Sequence, residues 1–199
     1  MVLPILSYGN QKLNQVCKSV NDNDPELQEF IDNMWETLDA AKGAGLAAPQ
    51  VNKSSQLFII DSDSTFRIMS EFERKAYFSG DEGIMETFIN TRIISRSDET
   101  WTDSEGCLSM PSFTVVVERP WSIEIEYFDR TFQKKRRAFS GLTARMIQHE
   151  YDHTRGVLFL DYVNSITKAR LKKKLLAIQR GEIKTKYPMK FPEFVPEST

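Results

Sequence analysis

The sequence predicts an α+β fold in a single domain with a basic C-terminal helix. Segments between residues 87 and 139 are rich in β-branched and aromatic residues, which favour strands. Residues 27–38 and 141–153 instead repeat apolar side chains at helical spacing. The 2 histidines of the chain lie four residues apart in the second of these helical segments. Together these observations predict the fold class and the helix that carries its function.

Length and composition indicate one globular domain. The chain has 199 residues, 40% hydrophobic and 27% charged, which is enough for a real apolar core. No apolar run approaches the length of a membrane span, and the first six residues do not resemble a secretory signal. The formal net charge of -2 argues against a general nucleic-acid binder. Two cysteines cannot form a disulfide framework, so we expect a reducing cytosol.

The first half of the chain begins with a helix and a strand. Asp24 is predicted to cap a helix that has a proline at its first position and that ends at Gly43. Residues 56–61 (QLFIID) have the composition of a buried strand. The polar stretch at residues 62–83 is predicted to be a surface excursion with a short helix at about residues 71–77.

The second half is predicted to contain strands followed by two helices. Strands are expected at residues 87–94, 114–118, 122–128 and 133–139. Residues 129–131 are expected to form a hairpin turn, because apolar residues alternate with glutamates in the segment before them. One helix is expected from Ser140 to His153 and another from about Ser165 to Arg180. The tail that contains Pro188, Pro192 and Pro196 is expected to be loosely ordered.

Both histidines belong to the segment His149-Glu150-Tyr151-Asp152-His153. On a helix, residues i and i+4 share a face, so both imidazoles can reach one metal ion with Glu150 beside them. The alternative is a chance placement of two ordinary histidines around a glutamate, which is on the order of one in a thousand for so few histidines. We therefore predict a metal site on this helix.

A catalytic metal site requires three protein ligands and an open position for water. Cys107, in the segment EGCLS (residues 105–109), is the best third ligand. Taken alone, a cysteine in such a tight segment is equally well explained as a small buried hydrophobe. Cys17 is the competing thiol, but it lies in a polar stretch with no supporting motif.

A third segment, GAGLAAPQ at residues 43–50, follows the first helix. Its two glycines are typical of a helix stop and a tight turn. A phosphate loop is excluded because the Lys-Ser/Thr ending is missing. The other use of the glycines is to let a bound chain approach the backbone closely, with Gln50 pointing an amide donor into the site.

Taken in order, GAGLAAPQ, EGCLS and HEYDH resemble the three motifs of the peptide deformylases. The similarity extends into the flanks of the motifs and covers residues 1 to about 165. It implies a metal-dependent hydrolase with a peptide deformylase-like α+β fold, in which small antiparallel or mixed sheets pack around a central metal-binding helix. That enzyme would remove the N-formyl group from the N-terminal methionine of nascent proteins and release formate.

The resemblance also implies a role for each site residue. The implied metal ligands are Cys107, His149 and His153, the catalytic residues are Glu150, Gln50 and Leu108, and the substrate-binding residues are Gly45, Leu142 and Met146. Glu150 would be the acid and base, whereas the Gln50 amide and the Leu108 backbone N–H would hold the developing oxyanion. One divalent ion is implied, iron(II) first, with zinc, nickel or cobalt also able to bind. We further hypothesise that Glu105 or Asp152 orients a ligand.

Residues 1–165 are predicted to form the catalytic domain, and residues 166–199 a basic amphipathic helix with a proline-containing tail. The resemblance makes transient contact between this helix and ribosomal RNA a sensible hypothesis. The alternative is a packed helix with a solvated basic face. We expect N-formylmethionyl peptides as substrates, a bacterial cytoplasmic location, and neither a membrane nor DNA as partner.

Two positions depart from the family pattern, and two other functions stay open. Ala44 stands where a larger aliphatic residue is more usual, and Thr154 where an apolar residue is. A peptidase with the same helix is disfavoured by Cys107 and Gln50, because most such peptidases use a histidine or an acid as third ligand. A binding protein with a structural metal is disfavoured by Glu150, because such a site does not need a base.

Overall fold

Nine strands and five α-helices lie within residues 1–78 and 80–193, the part of the chain that the structure, a computed structural model, describes. The strands are β1 (Ile5–Leu6), β2 (Gly45–Ala47), β3 (Leu57–Asp61), β4 (Met85–Arg96), β5 (Thr100–Cys107), β6 (Met110–Pro120), β7 (Ser122–Phe128), β8 (Lys134–Ser140) and β9 (Met189–Lys190). The helices are α1 (Leu27–Ala41), α2 (Ser62–Ile68), α3 (Glu71–Tyr77), α4 (Gly141–Thr154) and α5 (Ser165–Gln179).

Five strands form an antiparallel sheet in the spatial order β2-β3-β4-β7-β8. In β7, Ile123, Ile125 and Tyr127 are buried and alternate with glutamates, because successive side chains of a strand point to opposite faces. The buried face packs against α4, which contacts β2, β3, β7 and β8. The predicted α+β fold with a central helix is therefore confirmed.

Two smaller strand pairs complete the molecule. β5 and β6 form an antiparallel hairpin in which Cys107 is opposite Met110, so that Leu108 and Ser109 make the turn. β1 pairs in parallel with β9, with Ile5 opposite Met189. The first and last strands of the described chain are therefore neighbours.

The predicted elements agree with the structure in most places. Strand β3, helix α3 and the turn between β7 and β8 are confirmed, as is the long helix before Gly156. Helix α1 begins two residues later than expected: Asp24 accepts a hydrogen bond from the Glu26 N–H at 3.0 Å, and Glu26 is the residue that precedes the helix. The excursion at residues 62–83 holds a second helix, α2, capped by the Asp61 side chain.

The expectation of a loosely ordered tail is wrong for the residues around Pro188. The Pro188 carbonyl accepts a hydrogen bond from the Ile5 N–H at 2.9 Å, and the Lys190 carbonyl accepts one from the Ser7 N–H at 3.0 Å. These backbone bonds hold the tail on the buried strand β1. Pro196 lies outside the described residues.

No helix in the described part of the chain is both long and apolar enough to cross a membrane.

Candidate active site

Helix α4 carries His149, Glu150 and His153 into the interior, where they are 8%, 5% and 1% exposed. The helix can start where it does because its first residue is Gly141, with φ of 56°. A Cβ at this position would lie 2.1 Å from the Tyr77 carbonyl oxygen, so a side chain does not fit. The close approach locks the start of α4 against the end of α3.

The turn between β5 and β6 brings Cys107 to the two histidines. One possible ligand atom from each of Cys107, His149 and His153 lies within 4.8 Å of the others. The Cys107 Sγ is 3.3 Å from the His153 Nε2. A thiolate with two imidazoles is a donor set that zinc and iron accept. The group could therefore hold a metal ion.

One buried polar atom of this centre fits the same conclusion. Glu150 Oε2 has no hydrogen-bond partner within residues 1–78 and 80–193. Buried polar atoms are rarely left without one, so a free carboxylate oxygen here suits a centre that binds an ion and its water.

Cys17, the competing thiol, is not part of this group. Its Sγ lies 4.0 Å from the Gln15 carbonyl oxygen, and its side chain is buried. Burial raises the pKa of the Cys17 thiol to about 11, although the Arg155 charge acts in the opposite direction. A thiol in that environment is a poor source of the thiolate that a metal requires.

Glu105 fixes the orientation of His149. The His149 Nδ1–H donates to Glu105 Oε2 at 2.9 Å, which leaves the lone pair of Nε2 for a metal. Burial opposes the charge on Glu105, but hydrogen bonds from His149 and Arg119 overcome it and hold the pKa of the carboxyl well below its usual range. Burial alone would lower the pKa of His149, but its contacts with Cys107 and Glu105 outweigh this effect and hold the pKa well above its usual value.

Two buried arginines hold Glu105 in place. Arg119 donates to both carboxylate oxygens of Glu105, at 2.6 and 2.9 Å, and to Asp152 at 2.8 Å. Arg145 donates to Glu105 at 2.6 Å, and the Tyr162 hydroxyl donates to Asp152 at 2.9 Å. In this network Asp152 therefore accepts from Arg119 and not from a histidine, whereas Glu105 accepts from His149.

The arginines were not recognised as site residues from the sequence, although a signal existed for one of them. Arg119 continues the buried alternation of Val115 and Val117 along β6. An arginine at the inward position of a strand needs a buried acidic partner. That reasoning leads to Glu105, which lies on the neighbouring strand β5 two residues before Cys107.

Gly45 makes room for Glu150. A Cβ on Gly45 would lie 2.7 Å from Glu150 Oε1 and 3.0 Å from its Cδ. Burial raises the pKa of the Glu150 carboxyl to about 7, against the lowering effect of the His149 charge. A cation bound by Cys107, His149 and His153 would also lower the pKa of Glu150.

Gln50 reaches the centre from the turn after β2. Its Nε2 donates to Ser109 Oγ at 3.2 Å and lies 3.5 Å from Cys107 Sγ, and its Oε1 accepts from the Ala47 N–H at 2.8 Å. Because both ends of the amide are held, the position of its N–H group is well defined. Gln50 thus connects β2 to the turn that carries Cys107 and Leu108.

A cavity of about 450 Å³ opens beside these groups. Its wall includes predicted site residues from three segments, namely Gly45, Cys107, Leu108, Leu142, Met146, His149 and Glu150. Ala44 and Tyr187 also line it, and Tyr187 was not expected from the sequence. The structure therefore brings all nine predicted site residues to one place, because His153 and Gln50 contact Cys107 directly.

The fold and this centre define a class: an α+β protein whose cysteine and two histidines could hold a metal next to a buried glutamate, as in metal-dependent hydrolases. The polypeptide deformylase family model matches residues 2–169. The chain belongs to this family, and it is accordingly a hydrolase that removes N-formyl groups.

Relatives of similar length support the assignment. The chain is 42% identical over 194 residues to a peptide deformylase of Christiangramia forsetii. The aligned region covers 96% of this chain and 97% of the relative. It is 44% identical over 192 residues to a peptide deformylase of Flavobacterium psychrophilum, with the same coverage of both chains.

Solved structures agree with the relatives. A peptide deformylase from Ehrlichia chaffeensis is similar to the chain with a TM-score of 0.79 at 29% identity, over 92% of this chain and 99% of that one. For a peptide deformylase from Legionella pneumophila, the TM-score is 0.76 at 30% identity, over 92% and 98% of the two chains.

Proposed function

We propose that Cys107, His149 and His153 hold an iron(II) ion, and that Glu150 is the acid and base with which the enzyme hydrolyses the formyl amide of N-formylmethionyl peptides and releases formate. One observation carries the proposal: a buried carboxylate with an unpaired oxygen lies beside three side chains that could bind a metal. Zinc, nickel and cobalt suit the same donors, so activity with them is expected as well.

An ion held at this centre would lower the pKa of water and supply hydroxide at neutral pH. Glu150 takes a proton from the attacking water and returns it to the departing nitrogen, a role worth typically about 10²–10⁴-fold in rate. Its burial keeps bulk water from competing for that proton.

The negative charge that develops on the formyl oxygen needs fixed donors. We assign these to the Leu108 backbone N–H, in the turn next to Cys107, and to the Gln50 side-chain amide. Gln50 is already held by Ala47 and Ser109, so little reorganisation is required during the reaction. Donors of this kind are worth about 2.7–4 kcal/mol each by precedent.

The cavity wall suggests how the substrate is held. Leu142 and Met146 provide an apolar surface for the methionine side chain, and both line the cavity. Gly45 lies on β2, which is an edge strand of its sheet, so a substrate backbone can run beside it. The formyl group is small, so specificity must come mainly from these contacts.

The test is formate release from formyl-Met-Ala-Ser by protein that is purified anaerobically and loaded with iron(II) or nickel(II). Glu150→Gln is expected to retain metal and to lose at least about 100-fold in kcat. Glu118→Gln, which alters an exposed glutamate on β6, is the matched control and should behave as wild type. Metal-loaded Glu150→Gln with wild-type turnover would contradict the assignment of the base. Cleavage of an unformylated peptide would favour a peptidase instead.

We also propose that residues 1–165 form the catalytic domain and that residues 166–199 form an extension to it. The family model ends at residue 169, close to the start of α5. Leu175 and Ile178 of α5 are buried against the domain, which supports an extension whose helix packs on it.

Transient contact between α5 and ribosomal RNA in a bacterial cytoplasm completes the proposal. Lys172, Lys173 and Lys174 are exposed on the helix, whereas its apolar residues Leu175 and Ile178 face inwards. The triple substitution of these lysines by glutamine is expected to weaken ribosome binding and to reduce its dependence on salt. The control removes three exposed lysines elsewhere, Lys12, Lys42 and Lys75. Equal effects from both triple variants would exclude a specific role for the helix.

A further inference from the structure

The C-terminal strand delivers one side chain to the active site. After α5 the chain returns to the N-terminal strand, where β9 pairs with the fully buried residues of β1. Tyr187 lies two residues before β9, and its neighbour Pro188 accepts a backbone hydrogen bond from Ile5 at 2.9 Å. The position of Tyr187 is therefore set by the same pairing that joins the two ends of the fold.

The local sequence restricts Tyr187 further. A residue that precedes a proline is confined to extended conformations, which limits its backbone freedom. The Thr185 hydroxyl donates to the Tyr187 carbonyl at 2.8 Å. The ring of Tyr187 packs with Leu108 against the apolar cluster that includes α1 and β3. The backbone of Tyr187 is therefore restrained by the proline and by Thr185, and its ring is restrained by packing.

The hydroxyl of Tyr187 donates to the Leu108 carbonyl at 2.8 Å, and its side chain lines the active-site cavity. Leu108 and Ser109 are the two residues of the turn between β5 and β6. The next residue, Ser109, is held at its carbonyl by the Tyr8 N–H at 2.9 Å and at its hydroxyl by Gln50 at 3.2 Å. Tyr187 thus holds Leu108, whereas the other contacts hold Ser109.

We propose that Tyr187 is a positioning residue for deformylation: its hydroxyl holds the main chain of Leu108 so that the Leu108 N–H stays aimed at the formyl oxygen. This inference rests on the proposed role of the Leu108 N–H. A donor to a developing charge is effective only when its position is fixed in advance, and small displacements of such groups cost much of the rate. Tyr187 lies outside residues 2–169, the part that the family model matches.

The test compares wild type with Tyr187→Phe, which keeps the ring and removes only the hydroxyl. With nickel-loaded enzyme and formyl-Met-Ala-Ser, kcat is expected to fall about 3- to 10-fold, as the loss of one neutral hydrogen bond predicts, while KM changes less than about twofold. In zinc-loaded Tyr187→Phe, the Leu108 amide is expected to exchange its hydrogen with solvent faster than in zinc-loaded wild type. Metal content should be unchanged.

Tyr8→Phe is the matched control, because it removes a hydroxyl from a residue whose backbone N–H binds the same turn. It should leave kcat and the Leu108 exchange rate as in wild type. Unchanged kcat and unchanged exchange in Tyr187→Phe would overturn the role of Tyr187. Faster exchange with unchanged kcat would overturn the role of the Leu108 N–H itself. A rise in KM alone would make Tyr187 a substrate-binding residue and overturn the inference.

Discussion

Gly45 shows that a residue chosen from the sequence for one reason can meet a second requirement in the structure. From the sequence, the glycine was expected to let a bound chain approach the backbone. The structure adds a second requirement from inside the molecule, because a Cβ at this position would lie 2.7 Å from Glu150 Oε1. Sequence reasoning could not find this contact, since the two residues meet only after α4 has packed on β2.

Gly45→Ala is therefore expected to displace the carboxylate of Glu150, the proposed base, and to reduce kcat about 10- to 100-fold, as small misplacements of catalytic groups do. Metal content should change little, because the three ligands are not displaced. The measurement is kcat for formate release together with metal analysis, and Ala44→Gly is a control at the neighbouring position. Wild-type kcat in Gly45→Ala would show that Glu150 can move without cost.

Glu105 and Asp152 were equal choices from the sequence for the residue that orients a ligand, and the contacts favour Glu105. Glu105→Gln is expected to reduce metal affinity about 10- to 100-fold. It should also lower the free energy of unfolding by about 3–5 kcal/mol, because Arg119 and Arg145 lose a buried charged partner. Metal titration and denaturant unfolding measure the two effects.

Asp152→Asn is the comparison for Glu105→Gln. Asp152 contacts Arg119 and Tyr162 but not His149, so this variant should lose stability and keep more of its metal affinity. Equal losses of metal affinity in both variants would contradict the assignment of the orienting role to Glu105.

At the scale of elements, the hairpin turn between β7 and β8 depends on Asp129. Its Oδ1 accepts hydrogen bonds from the Thr131 N–H, the Thr131 hydroxyl and the Gln133 N–H, and its other oxygen pairs with Lys135 at 3.0 Å. Burial raises the pKa of Asp129, but these contacts outweigh it and lower the pKa to about 2.

Asp129→Asn is expected to lower the free energy of unfolding at pH 7 by about 1–3 kcal/mol. Because the folded pKa is depressed, the contribution of Asp129 is full above its ordinary pKa of about 3.9 and is lost as the pH falls through about 2. The gap between wild type and variant should therefore narrow between about pH 4 and pH 2. Denaturant unfolding across this range tests it, with the exposed Asp22→Asn as control. A gap that stays constant would contradict the role of the carboxylate.

The elements also show where sequence patterns stop being informative. The β7–β8 hairpin and α4 were predicted because their apolar spacing is regular. Strand β5 was missed because its residues are mostly polar, and it is held by pairing with β6 and by its buried contacts. Strands β1 and β9 are two residues each, too short for any periodicity. Tyr187 is placed at the site by the pairing of β1 with β9, and Arg119 by the pairing of β5 with β6.

For the whole molecule, a metal at the centre would join parts that are distant in the sequence. Cys107 comes from the β5–β6 hairpin, and His149 and His153 come from α4. An ion that binds all three stabilises only the folded chain, by about 2.7 kcal/mol when its free concentration is 100 times its Kd. The motifs predicted that these three side chains would meet, because each lies within a recognisable segment.

Removal of the metal with a chelator is therefore expected to lower Tm by about 5–10 °C for a chain of this size. Glu150→Gln should show the same decrease, because it retains the three ligands. In Cys107→Ala, which lacks one of the three proposed ligands, the chelator should lower Tm much less. A chelator effect as large in Cys107→Ala as in wild type would place the bound ion elsewhere.

The parallel pairing of β1 with β9 has a consequence for how the polypeptide is made. Synthesis proceeds from the N-terminus, so Ile5 leaves the ribosome long before Met189, its partner in the strand pair, has been translated. The hydrogen-bonding groups of β1 must therefore wait for their partners until the segment with Pro188 and Lys190 has been translated. This strand pair can therefore form only after all the residues that separate β1 from β9 have been translated.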